Sequence, residues 1–261
     1  MAALIVETLR RNRLLAVIGF AHVALFLVFI VASFLDPTQI LGVNRWLKPM
    51  KFAISIAIFT ITMAWLLSYL EQSYRAVSVI SGIVAVTMSG EIVLITMQAL
   101  RGVRSHFNQD SPLDMAVFSA MGILILTNTV AAGYAWILFL LRPATIGAAQ
   151  LSGVRHGLIV FVLASLIGAV MAGRGAHSVG VDDGGPGLPI VNWSTSGGDL
   201  RVAHFAGMHA LQALPLLGWI LDRRRTTGGR RWVQLSALAF TAVTTLLTIQ
   251  AFAGRSLLAL D

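Results

Sequence analysis

Glu91 is an acid inside an unbroken apolar stretch, Val77 to Ala99, and His209 lies inside another, residues 202–221. A carboxylate and an imidazole at a common depth make a general acid–base pair, the carboxylate orienting the ring or accepting its proton. At 1.5 Å per residue, Glu91 lies roughly 4–5 Å to one side of the centre of its stretch, and His209 about as far from its own. Ionisable groups cost most in hydrocarbon, so each is a functional candidate by default. These two are the candidate catalytic residues. Asn128 and Gln212 fall near the middle of their stretches, Gln212 one turn beyond His209 on nearly the same helix face. Gln98, His204 and Gln250 lie nearer the surface on the same side as Glu91.

The remaining histidines suggest a metal ion or haem. His106, His177 and His204 sit at or beside chain segments of one membrane surface and form a candidate metal-ligand set. His204 and His209 do not form a zinc helix by themselves, because five residues turn about 140° and the favoured spacing is i, i+4. His22 and His209 are offset by roughly 7–8 Å in depth, a poor match to one haem plane. The chain has no cysteine, which excludes thiolate metal sites, iron–sulfur clusters and cysteine nucleophiles. Lys48 and Lys51 are its only lysines, so the last apolar stretch has no amine for a retinal Schiff base. No P-loop, Gly-x-Ser-x-Gly or His-Glu-x-x-His run occurs.

The cations are the second unusual feature. Arg101, Arg104 and Arg201 stand at the ends of apolar stretches and are candidate contacts for an anionic group, together with Asn128, Gln98 and Gln212. Arg45-Trp46-Leu47-Lys48-Pro49-Met50-Lys51-Phe52 reads first as an interfacial belt, with lysines reaching along their stems to water.

The elements that must position these residues are membrane spans. Of 261 residues, 57% are hydrophobic and 11% charged, with a mean hydropathy of +0.81; soluble domains carry about 25% charged residues. A spanning helix takes roughly 20 apolar residues. Seven stretches qualify, at about 14–34, 52–70, 77–99, 113–141, 156–172, 202–221 and 232–254. The pattern predicts an all-α, seven-transmembrane-helix bundle in one domain, 1–261. Arg10, Arg11 and Arg13 resemble the basic start of a signal peptide, but the following apolar run of about 20 residues favours a retained anchor. A Gly-rich segment, 173–201, joins the fifth and sixth stretches, and Asp199 after Gly197-Gly198 is placed to cap the sixth helix.

Arginine and lysine counts set the orientation. With the N-terminus inside, Arg10, Arg11, Arg13, Arg75, Arg142, Arg155, Arg223, Arg224, Arg225, Arg230 and Arg231 are cytoplasmic, 11 against 8 outside. This predicts N-in and C-out, with Glu91 in the outer half. The net charge of +8 then reads as a topology signal rather than as a nucleic-acid surface. The Ala- and Arg-rich composition points to a bacterial inner membrane. The leading functional expectation is binding, and processing, of a small or lipid-like anionic ligand at an outward-facing polar site. Two other classes stand beside it: a proton-coupled transporter using Glu91, and an accessory subunit whose polar residues only specify helix packing.

Overall fold

The computed structural model describes residues 2–258. Its main elements are helices, and six of them are long and apolar enough to cross a membrane: α2 (Arg13–Leu35), α3 (Leu47–Leu67), α4 (Tyr74–Leu100), α5 (Pro112–Leu141), α6 (Ala148–Arg174) and α9 (Gly229–Phe252). Each coincides with one of the expected stretches, although α3 ends at Leu67 rather than at 70 and α9 at Phe252 rather than at 254. The sixth expected stretch, 202–221, is not a single helix. It is divided into α7 (Leu200–Met208) and α8 (Ala210–Arg223) at His209. The only proline of this stretch, Pro215, lies inside α8. A proline ring presses on the carbonyl four residues back, here Leu211, and disturbs the helix on its N-terminal side, which is where the division falls. A further helix, α1 (Ala2–Arg11), precedes the first span. The chain divides into two compact units, Met1–Ala135 and Trp136–Asp261.

In the first unit, α2 packs along α3, and α4 packs against both. The α2–α3 approach is close at Gly19, where an added Cβ would lie 2.6 Å from the Ile61 side chain. Helix α1 is tied to the C-terminal end of α3. Trp65 Nε1 donates to Thr8 Oγ1 at 3.0 Å, and the Arg11 guanidinium lies over the Trp65 ring while donating to Ser68 Oγ. Asn12 ends α1 and caps α2 by accepting from Leu15 N, and its amide reaches Ser81 Oγ on α4. At the other end of α2 a hairpin, β1 (Gln39–Ile40) and β2 (Val43–Asn44), turns through Leu41 and Gly42, both with positive φ. That is the mirror-image turn that matches strand twist. Ile95, Val117 and Met121 form a core between α4 and α5, with Phe52 and Phe118 packed against it.

In the second unit, α6 is the central helix, packed by α7, α8 and α9. Its contact with α8 is backbone to backbone. A Cβ on Gly153 would fall 2.2 Å from Leu214 O, on Gly157 2.8 Å from Ala210 O, and on Gly218 2.4 Å from Ala149 O. Small residues four apart are how helices approach closely in lipid, where burying apolar surface gives no preference for helix over bilayer. Asp222, at the end of α8, accepts from Ala149 N and Gln150 N and satisfies the first turn of α6. The 173–201 segment is held by a short pair, β3 (Ser178–Val179) with β4 (Gly198–Asp199).

Gly153→Ala should destabilise the second unit by about 2–3 kcal/mol, because the new methyl meets backbone that does not yield. Gly82→Ala on α4, with nothing within 4 Å, should be neutral or stabilising by up to about 1 kcal/mol. Thermal unfolding of the two variants in detergent checks the contrast.

Candidate functional site around Glu91 and His106

Helix α4 carries Glu91 two turns before its end, and the 101–111 connection brings His106 back over it. His106 Nε2 stands 3.5 Å from Glu91 Oε1, longer than a good hydrogen bond. The Glu91 side chain is 1% exposed, and neither of its oxygens has a hydrogen-bond partner among the described residues. Three aromatic rings surround the imidazole: Phe52 from α3 at 5.5 Å, Phe107 at 6.1 Å and Phe118 from α5 at 6.3 Å. Ser105 Oγ lies 3.2 Å from its Nδ1. Burial pushes the His106 pKa well below the usual histidine value, and the Lys48 ammonium acts in the same direction. The ring is therefore neutral at pH 7 and resists taking up a proton.

The cations at the helix ends are organised differently. Arg101 Nη1 lies 2.6 Å from Asp114 Oδ1 and also donates to Gln98 Oε1, while Gln98 Nε2 donates to the same Asp114 oxygen at 2.9 Å. Asp114 Oδ2 accepts from Ser111 Oγ, and Ser111 Oγ accepts from Asp114 N, a reciprocal cap on α5. Arg104 stands 3.6 Å from Asp110. Arg45 Nε and Trp46 Nε1 both donate to Asp36 Oδ2. Hydrogen bonds from Thr38, then from Trp46 and Arg45, hold the Asp36 carboxyl well below the usual range.

The second unit holds Arg201, His177, His204, His209 and Gln212. Asp199 caps α7 by accepting from Arg201 N, as its place after two glycines suggests. Its carboxylate also binds the Arg201 side chain and accepts from Ser194 N at 2.9 Å, and Arg201 Nη2 donates to Asn192 O. His177 Nδ1 lies 3.2 Å from Asp183 and 3.7 Å from Asp199. Burial opposes ionisation of Asp183, but the His177 charge and the hydrogen bonds from Ser178 and His177 N–H outweigh it, so its pKa is lowered. His204 donates from Nδ1 to Ala164 O on α6, and its ring lies against Gly168. His209, at the α7–α8 division, donates from Nδ1 to Phe205 O, with its ring 4.1 Å from the Phe205 ring. Gln212 lies half-buried in the first turn of α8. Asn128 on α5 is buried, its Oδ1 without a partner among the described residues.

Thus Glu91 comes together with His106, and Gln98 with Arg101 and Asp114. No three His, Cys, Asp or Glu residues among the described ones are grouped to hold a metal ion. The three candidate anion-binding arginines, Arg101, Arg104 and Arg201, are each engaged with a nearby acid, Asp114, Asp110 and Asp199. The Ser111-x-x-Asp114 spacing is the signal that identifies the first of them. The imidazole beside Glu91 is that of His106, and its aromatic cage had no sequence signal. No family model, characterised protein or solved structure matches the chain. Six helices long and apolar enough to cross a membrane are consistent with a multi-pass helical membrane protein.

Asp199→Ala removes a cap and leaves Arg201 without its carboxylate, so it should destabilise the second unit by about 3 kcal/mol and expose 180–196 to limited proteolysis. The His106 shift has a definite sign. Below the ordinary histidine value the unfolded chain takes up a proton that the folded ring refuses, so stability falls as pH drops from about 7 toward 5. Thermal unfolding across that range should show the slope, and His106→Gln should flatten it.

Proposed function

We propose that the protein is a proton-coupled membrane carrier whose titrating centre is the Glu91–His106 pair. The observation that carries this reading is the buried Glu91 carboxylate with no hydrogen-bond donor among the described residues and an imidazole 3.5 Å away. A charged carboxylate so placed costs several kcal/mol of desolvation, and a single proton removes that cost. His106, retaining about a fifth of its side-chain surface, is the group that links Glu91 to the loop side. A charge change at the centre then supplies a difference in energy between two arrangements of the surrounding helices.

In this reading the broken α7–α8 segment is a seventh crossing, since the two helices together run from Leu200 to Arg223. The N-terminus faces the cytoplasm of a bacterial cell, and the Glu91–His106 pair opens to the outer face. The solute is small or lipid-like. Chemical processing of an anionic ligand by this site draws less support, because Arg101, Arg104 and Arg201 already face Asp114, Asp110 and Asp199.

In proteoliposomes carrying a potassium diffusion potential, an internal pH dye should report proton entry for the native chain and none for Glu91→Gln. Infrared difference spectra across a pH titration should lose a protonated-carboxyl band in the same variant. Equal proton entry with Glu91→Gln would remove the reading. Orientation is accessible because the chain has no cysteine. A membrane-impermeant maleimide applied to intact cells should label Ser196→Cys and leave Thr226→Cys unlabelled.

A further inference from the structure

The second unit contains a cleft of about 290 Å³ between the C-terminal part of α5, the first half of α6 and the start of α9. Arg155, Arg230, His156 and Ser152 line it, opposite Trp136, Leu140, Leu151 and Ile159. No carboxylate is among its lining residues. The nearby acid, Asp222, is engaged with the Ala149 and Gln150 amides at the start of α6. Arg155 is half-buried, and its Nε donates to Phe139 O at 2.8 Å. That bond uses one of five guanidinium N–H groups and fixes the direction of the rest.

We propose that this cleft binds the phosphate of an anionic phospholipid. Arg155 and Arg230 supply the forked donors that suit phosphate oxygens. The volume fits a headgroup and the start of an acyl chain rather than a whole lipid, and the apolar wall lies on helices that are themselves spans. A free phosphate would gain nothing from that wall. The same end of the unit carries Arg142, Arg223, Arg224, Arg225 and Arg231, a density of cations that attracts an anionic leaflet. A basic pocket between spans beside a polybasic loop joins a specific phosphate contact to a general electrostatic one. This site is independent of Glu91 and of proton movement.

Native mass spectrometry of the full chain in detergent, with phosphatidylglycerol or phosphatidylcholine added, tests the assignment. Phosphatidylglycerol should be retained in preference to phosphatidylcholine, and millimolar inorganic phosphate should not displace it. Arg230→Gln, at an exposed position, should weaken retention about fivefold, equivalent to about 1 kcal/mol. Arg155→Gln should do at least as much, and Arg224→Gln, outside the cleft, should leave selectivity unchanged. Equal retention of the two lipids, displacement by phosphate, or an Arg230→Gln chain that binds as the native one does would each overturn the proposal.

Discussion

Hydrocarbon offers no hydrogen bonds, so a polar group held within or against it must be met by the chain itself. That constraint organises five of the acids of this protein, Asp36, Asp114, Asp183, Asp199 and Asp222. Arg45 meets Asp36, Arg101 meets Asp114, and Arg201 meets Asp199. Asp222 meets the free amides of α6, and the loop amides at His177 and Ser178 meet Asp183. Each of these pairings closes a turn, caps a helix or anchors a connection. They are structural because each charge already has its partner.

Glu91 departs from that pattern. Its carboxylate is as buried as that of Asp199, yet Asp199 accepts from several N–H groups and Glu91 accepts from none among the described residues. The same constraint that makes the paired acids ordinary makes this one the exception. The aromatic cage has a matching effect on His106: it withdraws water from the ring and keeps the imidazole neutral.

Lipid also removes the usual reason for helices to associate, since a leucine side chain is as well solvated by acyl chains as by another helix. The second unit answers with backbone contact through Gly153, Gly157 and Gly218. Much of α9 correspondingly shows apolar side chains such as Leu238, Leu246 and Ile249 to its surroundings. The cleft beside Arg155 belongs to the same economy of packing, a gap between spans bordered by cations rather than filled by side chains.

Six long apolar helices were legible from the residues alone, because insertion into hydrocarbon sums transfer energies over about 20 neighbouring positions and needs no partner. Glu91 was legible for the same reason, as a local exception to that sum, and Asp199 was legible as a cap because capping reaches only two or three residues. Four features depended on tertiary structure. The sixth stretch divides at His209 into two helices, and Gly153 on α6 meets Leu214 on α8. Arg101 and Arg201 face acids across a turn, and the imidazole set beside Glu91 is that of His106. Whether a polar side chain is satisfied, and by which neighbour, depends on how the connections fold back over the helix ends. Distances of 3 Å between side chains are decided there, by packing that no local run of residues encodes.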